Sequence, residues 1–371
     1  MKQIRPFVRE DIPQVADLHQ RVFRIRGKPH QRPHSPELFQ AYAKYFEEIF
    51  FRNPWYDEAL PSLVYQEPTG RITGFLGVMP RRMSLNGQLI KVALSSQFIV
   101  APDSRSIGAM LLKTFLVGPQ DLSLTDEANS VSRKLWERLG GAAALLYGIH
   151  WTRPLRPSRF VVSLFSSFIQ ERKPWSYLAS ASRPICNLVD AIVARKLPRY
   201  FRQTAPQVSA EELNIETLLL YLSEFSNTRP LWPVYDDRSL KWLLQTVAQK
   251  EQWGTLRIMA IHNAKREKIG LYLYYLKPGG TSTVLKIVAR NNSMSEVLDH
   301  LFYDAWRQDS VAVSGRLDPK FMREVSDKYC FFNCGRPWVL IHTHNHDLLQ
   351  IFRDGDAMLS KLEGEWCMRF V

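Results

Sequence analysis

The chain has 371 residues, a formal net charge of +13, a hydrophobic fraction of 45% and a charged fraction of 23%. That length exceeds one domain of roughly 100–200 residues and leads to an expectation of two. No run approaches the roughly 18–20 apolar residues of a membrane span, no apolar stretch follows Lys2, Arg5 and Arg9 as a secretory signal requires, and four cysteines (Cys186, Cys330, Cys334, Cys367) are too few for a disulfide scaffold, so a reducing, cytoplasmic setting is expected.

The chain opens with a short strand at Ile4–Val8. Arg9–Ile25 carries Ile12, Val15, Leu18 and Val22 at helical spacing. A second helix is expected over Ser35–Phe51, with Ser35 as N-cap and Leu38, Tyr42, Tyr45, Phe46 and Ile49 as its apolar stripe. Strands follow at Ser62–Tyr65, Arg71–Val78 and Arg82–Leu85. Asn86-Gly87 turns the chain into Leu89–Val100, because a type I′ hairpin needs positive φ at both central residues. Ile107–Val117 reads as helix, Leu122–Leu124 as a brief strand, and Asn129–Leu139 as a helix stopped by Gly140-Gly141. Ala142–His150 is apolar and reads as one buried strand.

From Arg153 to Arg202 ten basic residues face only Glu171 and Asp190, a surplus of eight within the total of +13. Such a field attracts phosphates, acidic carrier proteins, nucleic acid or an anionic membrane face. Two amphipathic stretches, Phe160–Ile169 and Ile185–Val193, lie inside it. Beyond it come helices at Glu211–Phe225 and Asp237–Val247, then three strands, Leu256–Ile261, Ile269–Leu276 and Thr283–Ala289, the last two joined through Pro278-Gly279-Gly280. Ser293–Trp306 (helix), Val311–Val313 (strand), Pro319–Lys328 (helix) and Trp338–Thr343 (strand) complete the second half. It repeats the first half's order of meander, helix, strand, helix, strand.

Two motifs carry chemistry. In Phe98–Gly108 a strand ends in Val100-Ala101-Pro102, then Arg105-Ser106-Ile107-Gly108 opens a helix. A glycine lets backbone approach a ligand, and the first helical turn offers unpaired N–H groups and a positive dipole end, which together suit a pyrophosphate. Downstream stands Asn129-x-x-Ser132-x-x-x-Trp136-x-x-x-Gly140. The pair, in this order over residues 1–150, resembles the cofactor motifs of the GNAT acyltransferases. The resemblance implies an α/β (α+β) fold of two GNAT-like mixed-sheet domains. A catalytic domain would span 1–152, a basic helical linker 153–209 and a degenerate GNAT-like domain 210–371, where Arg290-Asn291-Asn292-Ser293-Met294 lacks the glycine. It further implies acetyl-CoA or a longer acyl-CoA as co-substrate, held by Gln97, Ile99, Val100, Arg105, Ser106, Ile107, Gly108, Ala109, Met110, Asn129, Ser132 and Trp136, with the pantetheine arm entering where the fourth and fifth strands splay.

Three departures bear on the chemistry. Met110 replaces the third glycine of the motif. Trp136 stands where many members have a tyrosine that protonates the leaving thiolate, and indole donates no useful proton at neutral pH. Gly141 replaces the usual phenylalanine, which leads to an expectation of a wider channel. A strand N–H near Gln97–Ile99 is expected to meet the oxyanion. Asp126 or His150 is the candidate general base and Tyr147 the candidate acid, set against plain readings as a helix cap, a packed histidine and a strand tyrosine.

The expected reaction is N-acyl transfer from acyl-CoA or an acyl carrier protein onto an amine-bearing small molecule, glycan or lipid, with an anionic membrane surface as a partner for 153–202 and nucleic acid less favoured. The alternatives are an aminoacyl-tRNA-dependent transferase with tandem GNAT-like domains, against which Arg105–Gly108 counts, and a non-catalytic GNAT-like binding protein. Cys330, Cys334, His342, His344 and His346 match no familiar zinc spacing, and no metal is expected. No nucleophile-elbow, Walker or zincin motif occurs.

Overall fold

A computed structural model describes residues 3–24, 36–104, 106–168, 183–225, 228–290, 292–335 and 337–370. The expectations for Ser35 and Arg105 lie outside the described residues, as does the middle of the basic segment, 169–182.

The fold is α/β, built on two mixed sheets of eight and seven strands. In chain order the first half supplies β1 (Gln3–Pro6), α1 (Ile12–Arg24), α2 (Pro36–Phe46) with a π-helical extension Glu47–Phe51, β2 (Leu63–Gln66), β3 (Ile72–Leu85), β4 (Gln88–Val100), α3 (Ser106–Leu116), β5 (Leu122–Ala128), α4 (Ser130–Arg138), β6 (Ala142–Ala143) and β7 (Ile149–Pro154). Next come α5 (Pro157–Phe168), α6 (Arg183–Lys196), α7 (Pro198–Phe201), β8 (Ser209–Glu212), α8 (Ile215–Phe225), β9 (Leu231–Pro233), α9 (Asp237–Ala248), β10 (Thr255–His262), β11 (Lys268–Leu276) and β12 (Thr281–Ala289). The chain closes with α10 (Met294–Arg307), β13 (Ala312–Arg316), α11 (Met322–Asp327), β14 (Phe331–Cys334), β15 (Trp338–His342), α12 (His346–Asp354) and α13 (Glu365–Met368).

The first sheet runs β1-β2-β3-β4-β5-β15-β6, with β9 on the far end of β3; the second runs β14-β7-β13-β12-β11-β10-β8. Read from β1 and from β8 the two orders match strand for strand. In each, the strand beside the parallel pair comes from the other half of the chain. β15 pairs with β5 and β6, and β7 with β13 and β14. The stretch expected as one strand, Ala142–His150, is therefore broken: a 3-10 turn at Leu145–Gly148 carries the chain from one sheet to the other. Packing fixes β7 in its place. Trp151 is buried against the second sheet's core and donates from Nε1 to Arg316 O at 3.2 Å. Its ring fills the space beside Gly315, where a Cβ would lie 2.7 Å from it.

The strands expected at Arg71–Val78 and Arg82–Leu85 are one strand, β3, running through Pro80. Along one edge β2 pairs only to Leu76 and β9 begins at Met83. Pro80 sits in the gap, where no partner strand needs its missing N–H. One hydrophobic core is shared between the sheets: Phe7, Phe46 and Phe75 of the first half join Leu243, Leu271 and Tyr275 of the second. α3 and α4 cover the outer side of the first sheet, and α10 that of the second.

Because each sheet holds a strand of the other half, the halves should not unfold separately. Urea denaturation followed by far-UV circular dichroism and by tryptophan fluorescence is expected to give coincident single transitions. Trp151→Ala should cost about 3–5 kcal/mol and lower both signals together. Two resolved steps, with only one moved by the substitution, would contradict the exchange.

Candidate active site

β4 and β5 run parallel only where Val92–Leu94 face Leu122–Leu124. Beyond that they part. The cause is a bulge in β4: Gln97 takes a left-handed backbone conformation (φ 50°), and the register with β3 slips between Phe75 and Gly77. An extra residue bends a strand and re-aims its neighbours. β5 meanwhile turns its free edge to β15. The gap opens into a cleft of ≈660 Å³ lined by residues of β4 (Ser95–Phe98), β5 (Thr125, Glu127, Ala128), α4 and its cap (Asn129, Ser132, Trp136), His19, and the chain's end (Glu365, Arg369, Phe370).

The start of α3 lies beyond the residues that line the cleft, which reach it through Phe98. Gly108 lies under Phe98 and Val100, to which a Cβ would stand 3.5 Å away. The Ile107 N–H is bonded to Ser104 O at 3.0 Å, which leaves the other first-turn amides, those of Ser106 and Gly108, without an intrahelical acceptor. Ala109 is half-buried, Met110 is 51% exposed, Ile99 belongs to the core, and Val100 packs beside Ile107 and Leu111. On the far wall Asn129, rather than Asp126, caps α4: its Oδ1 accepts from the N–H groups of Val131 and Ser132, both at 2.9 Å. Trp136 is buried edge-on to Phe115, at 6.1 Å between ring centres. Gly141 opens no channel there, since a Cβ on it would already meet the Trp136 ring at 3.1 Å.

The residue at the apex was missed from sequence. The turn Gly364–Cys367 enters the wedge and bridges its two sides. Glu365 Oε1 accepts from the Gln97 N–H at 3.2 Å and the Ser96 hydroxyl at 3.3 Å, and Oε2 from the Thr125 hydroxyl at 3.4 Å. The Glu365 N–H donates to Asp126 Oδ1 at 2.7 Å. Gly364 is required by that approach, because a Cβ would overlap the Asp126 carboxyl. Burial, and then the charge of Asp126, push the Glu365 carboxyl up to about 8. Glu127 is raised by burial and by Asp126, against the pull of Arg316, Lys361 and Arg369. His19 lines the same cleft, with Nε2 2.6 Å from Gln97 Oε1 and Nδ1 3.0 Å from the Tyr42 hydroxyl. Burial lowers it to about 4, so it is neutral at pH 7. Nothing local in Glu363-Gly364-Glu365-Trp366 marks Glu365 as part of the cleft.

The three residues read from sequence as acid or base lie elsewhere. Asp126 is buried in an ion pair with Arg316 at 2.9 Å and borders a separate small pocket of ≈30 Å³ rather than the cleft. The Tyr147 hydroxyl donates to Ala357 O and accepts from Ala357 N–H, at 3.0 and 2.8 Å. His150 sits on β7 in the second sheet; burial, and then the charges of Lys361 and Arg316, lower it to about 3. Neither lines the cleft. Cys330 precedes β14 of the second sheet and Cys334 ends it, whereas His342 ends β15 of the first, and among the described residues no cluster of three metal-ligating side chains forms.

The second sheet has its own cleft of ≈390 Å³ beside Val288, Ala289 and Asn292, where a matching cofactor site would lie. Its cations are already matched: Arg229 pairs with Asp318 at 2.5 Å and Lys320 with Asp356 at 2.7 Å.

No protein-family model matches the sequence, and no curated protein matches it. Solved structures do. A conserved Enterococcus faecalis protein of unknown function, described as a probable N-acyltransferase, aligns over 92% of this chain and 73% of its own with a TM-score of 0.58 at 11% identity. A GCN5-related N-acetyltransferase from Anabaena variabilis aligns over 93% and 73%, TM-score 0.58, 11% identity; another from Kribbella flavida over 92% and 70%, TM-score 0.55, 12% identity. The chain therefore has a GNAT-like fold, and the likeness, over 92–93% of the chain, spans both sheets.

The raised Glu365 carboxyl ties stability to pH. Its ordinary value is 4.5 and its folded value about 8, so the folded state holds a proton that the unfolded chain releases in between. The stability it contributes is complete below the lower value and lost as pH rises through the upper one. Glu365→Gln keeps the site neutral throughout. Relative to wild type, its melting temperature should be higher at about pH 9 than the comparison at about pH 5 gives; a pH-independent difference would contradict the raised carboxyl.

Proposed function

We propose that the protein transfers an acyl group from a pantetheine thioester, acyl-CoA or acyl carrier protein, to an amine. The observation that carries this reading is the Glu365 carboxyl held across the splayed β4–β5 wedge, in the cleft lined by Phe98, Asn129, Ser132 and Trp136. The diphosphate would lie on the Ser106 and Gly108 amides, and the pantetheine arm would follow β4 past Phe98 toward Gln97. Asn129, Ser132 and Trp136 form the other wall.

The amine nitrogen attacks the thioester carbonyl carbon, a C–N bond forms, and the C–S bond then breaks. Glu365 takes the proton the amine must lose and returns it to the departing sulfur, the task Trp136 cannot perform. A group of pKa near the working pH suits a carrier that must both accept and release a proton. Its bonds to Ser96, Gln97 and Thr125 are long, at 3.2–3.4 Å, so the carboxyl exchanges partners at small cost, and release of the Gln97 N–H presents that donor to the carbonyl oxygen. The second sheet, with its cations paired, serves to hold the first. An amine-bearing small molecule, glycan or lipid is the acceptor this reading accommodates.

Titration calorimetry with acetyl-CoA and a long-chain acyl-CoA tests the donor. Binding is expected, and Gly108→Trp, which drives an indole into the Phe98–Val100 contact, should weaken it by more than about tenfold. Absence of thioester binding together with tight, salt-sensitive tRNA binding would sink the proposal. For catalysis, kcat/KM should rise with pH to a plateau with an apparent pKa near 8. Glu365→Gln should remove that limb and lower kcat by about 10²–10⁴. An unchanged profile would assign the proton to another group.

A further inference from the structure

α5 and α6 pack against one another. Their inner faces are joined by polar contacts: the Ser158 N–H donates to Asp190 Oδ1 at 2.7 Å and its hydroxyl to Cys186 O at 3.0 Å. Arg159 ties the pair to the body through Asp309 at 2.6 Å. With Cys186 and Asp190 turned inward, the opposite face of α6 carries Ile185, Leu188, Val189 and Ile192, spaced i, i+3, i+4, i+7. All four are exposed, Ile185 at 68% and Leu188 at 64%. α5 adds Val161 and Phe165, one turn apart, the latter 64% exposed. An ordinary surface helix turns such a stripe to the core; α6 leaves it to solvent. A contiguous apolar face of this kind marks an interaction site.

The charge around it selects the partner. Arg183, Arg195, Lys196, Arg199 and Arg202 are exposed. The only acid among the described residues of 157–202 is Asp190, which is buried. A second copy of the same face would bring cations against cations. Nucleic acid would match the charge and leave the aliphatic side chains uncovered. A bilayer with anionic headgroups satisfies both: hydrocarbon takes the stripe and phosphates take the arginines. No helix among the described residues is long and apolar enough to cross a membrane, so the contact is with one face of the bilayer. We propose that the α5–α6 pair docks the protein on an anionic lipid surface, with Ile185, Leu188, Val189, Ile192 and Phe165 entering the headgroup–acyl boundary and the α6–α7 cations on the phosphates. This docking is independent of the acyl-transfer reading, and its test contains no thioester, so either can fail alone.

The test is co-sedimentation of the full chain with vesicles of phosphatidylcholine alone and with phosphatidylglycerol added. Binding is expected only to the anionic vesicles and should fall in about 0.5 M salt. Arg195→Glu with Lys196→Glu should weaken partitioning by about tenfold or more. Leu188→Asp with Phe165→Ser should abolish it while the circular dichroism spectrum and melting temperature stay those of wild type. No sedimentation with anionic vesicles would overturn the proposal. So would two other results: dimers in gel filtration that Leu188→Asp dissociates, which assigns the face to self-association, or a sharp fall in melting temperature for Leu188→Asp, which assigns it to cover by the chain itself.

Discussion

The ion pair between Asp126 on β5 and Arg316 on β13 is the contact on which the site depends. Both side chains are buried, and each belongs to a different sheet. Coulomb attraction alone does not make such a pair stabilising, because both charges were stripped of water. What it does is fix geometry. One Asp126 oxygen is held by Arg316 and the other by the Glu365 N–H, so the second sheet positions the residue that enters the first sheet's wedge. A partner removed here leaves a buried charge uncompensated, which typically costs about 3–5 kcal/mol.

The chain's last residues extend that coupling. Met358 N–H bonds to Leu231 O, and Leu362 N–H to Leu285 O on β12. The Glu363 carboxylate takes the buried Lys286 ammonium at 2.8 Å, and Glu365 then spans β4 and β5. One segment thus runs from the second sheet to the splayed wedge of the first, anchored at each step by a backbone bond or an ion pair. The strand exchange acts the same way, since β7 and β15 each complete a sheet they do not begin. The relative placement of the two sheets is therefore a condition for the site.

Much of the first half was legible. Period-3.6 stripes located α1 and α3, Asn86-Gly87 located the β3–β4 hairpin, and Asn129 and Gly140-Gly141 bounded α4, because each signal acts between residues close in sequence. Of the residues named from the motifs, Gln97, Asn129, Ser132 and Trp136 line the cleft, while Val100 and Ser106–Met110 are not among its lining residues. Short elements escaped. β6, β9 and β14 have two to four residues, too few for a period, and they are strands only because a partner lies beside them.

The sequence alone determined local structure, together with the basic, apolar character of α6. Those features come from side-chain periodicity, from glycine's backbone freedom and from the charge each residue carries. Only the tertiary structure decided which strands pair, which carboxyl meets the wedge, and which face of α6 is left to solvent. Asp126 and Glu365 lie 239 residues apart, and nothing near either one in the chain announces the other. Burial and the neighbouring charge, which together raise Glu365, exist only once the two sheets have closed around it.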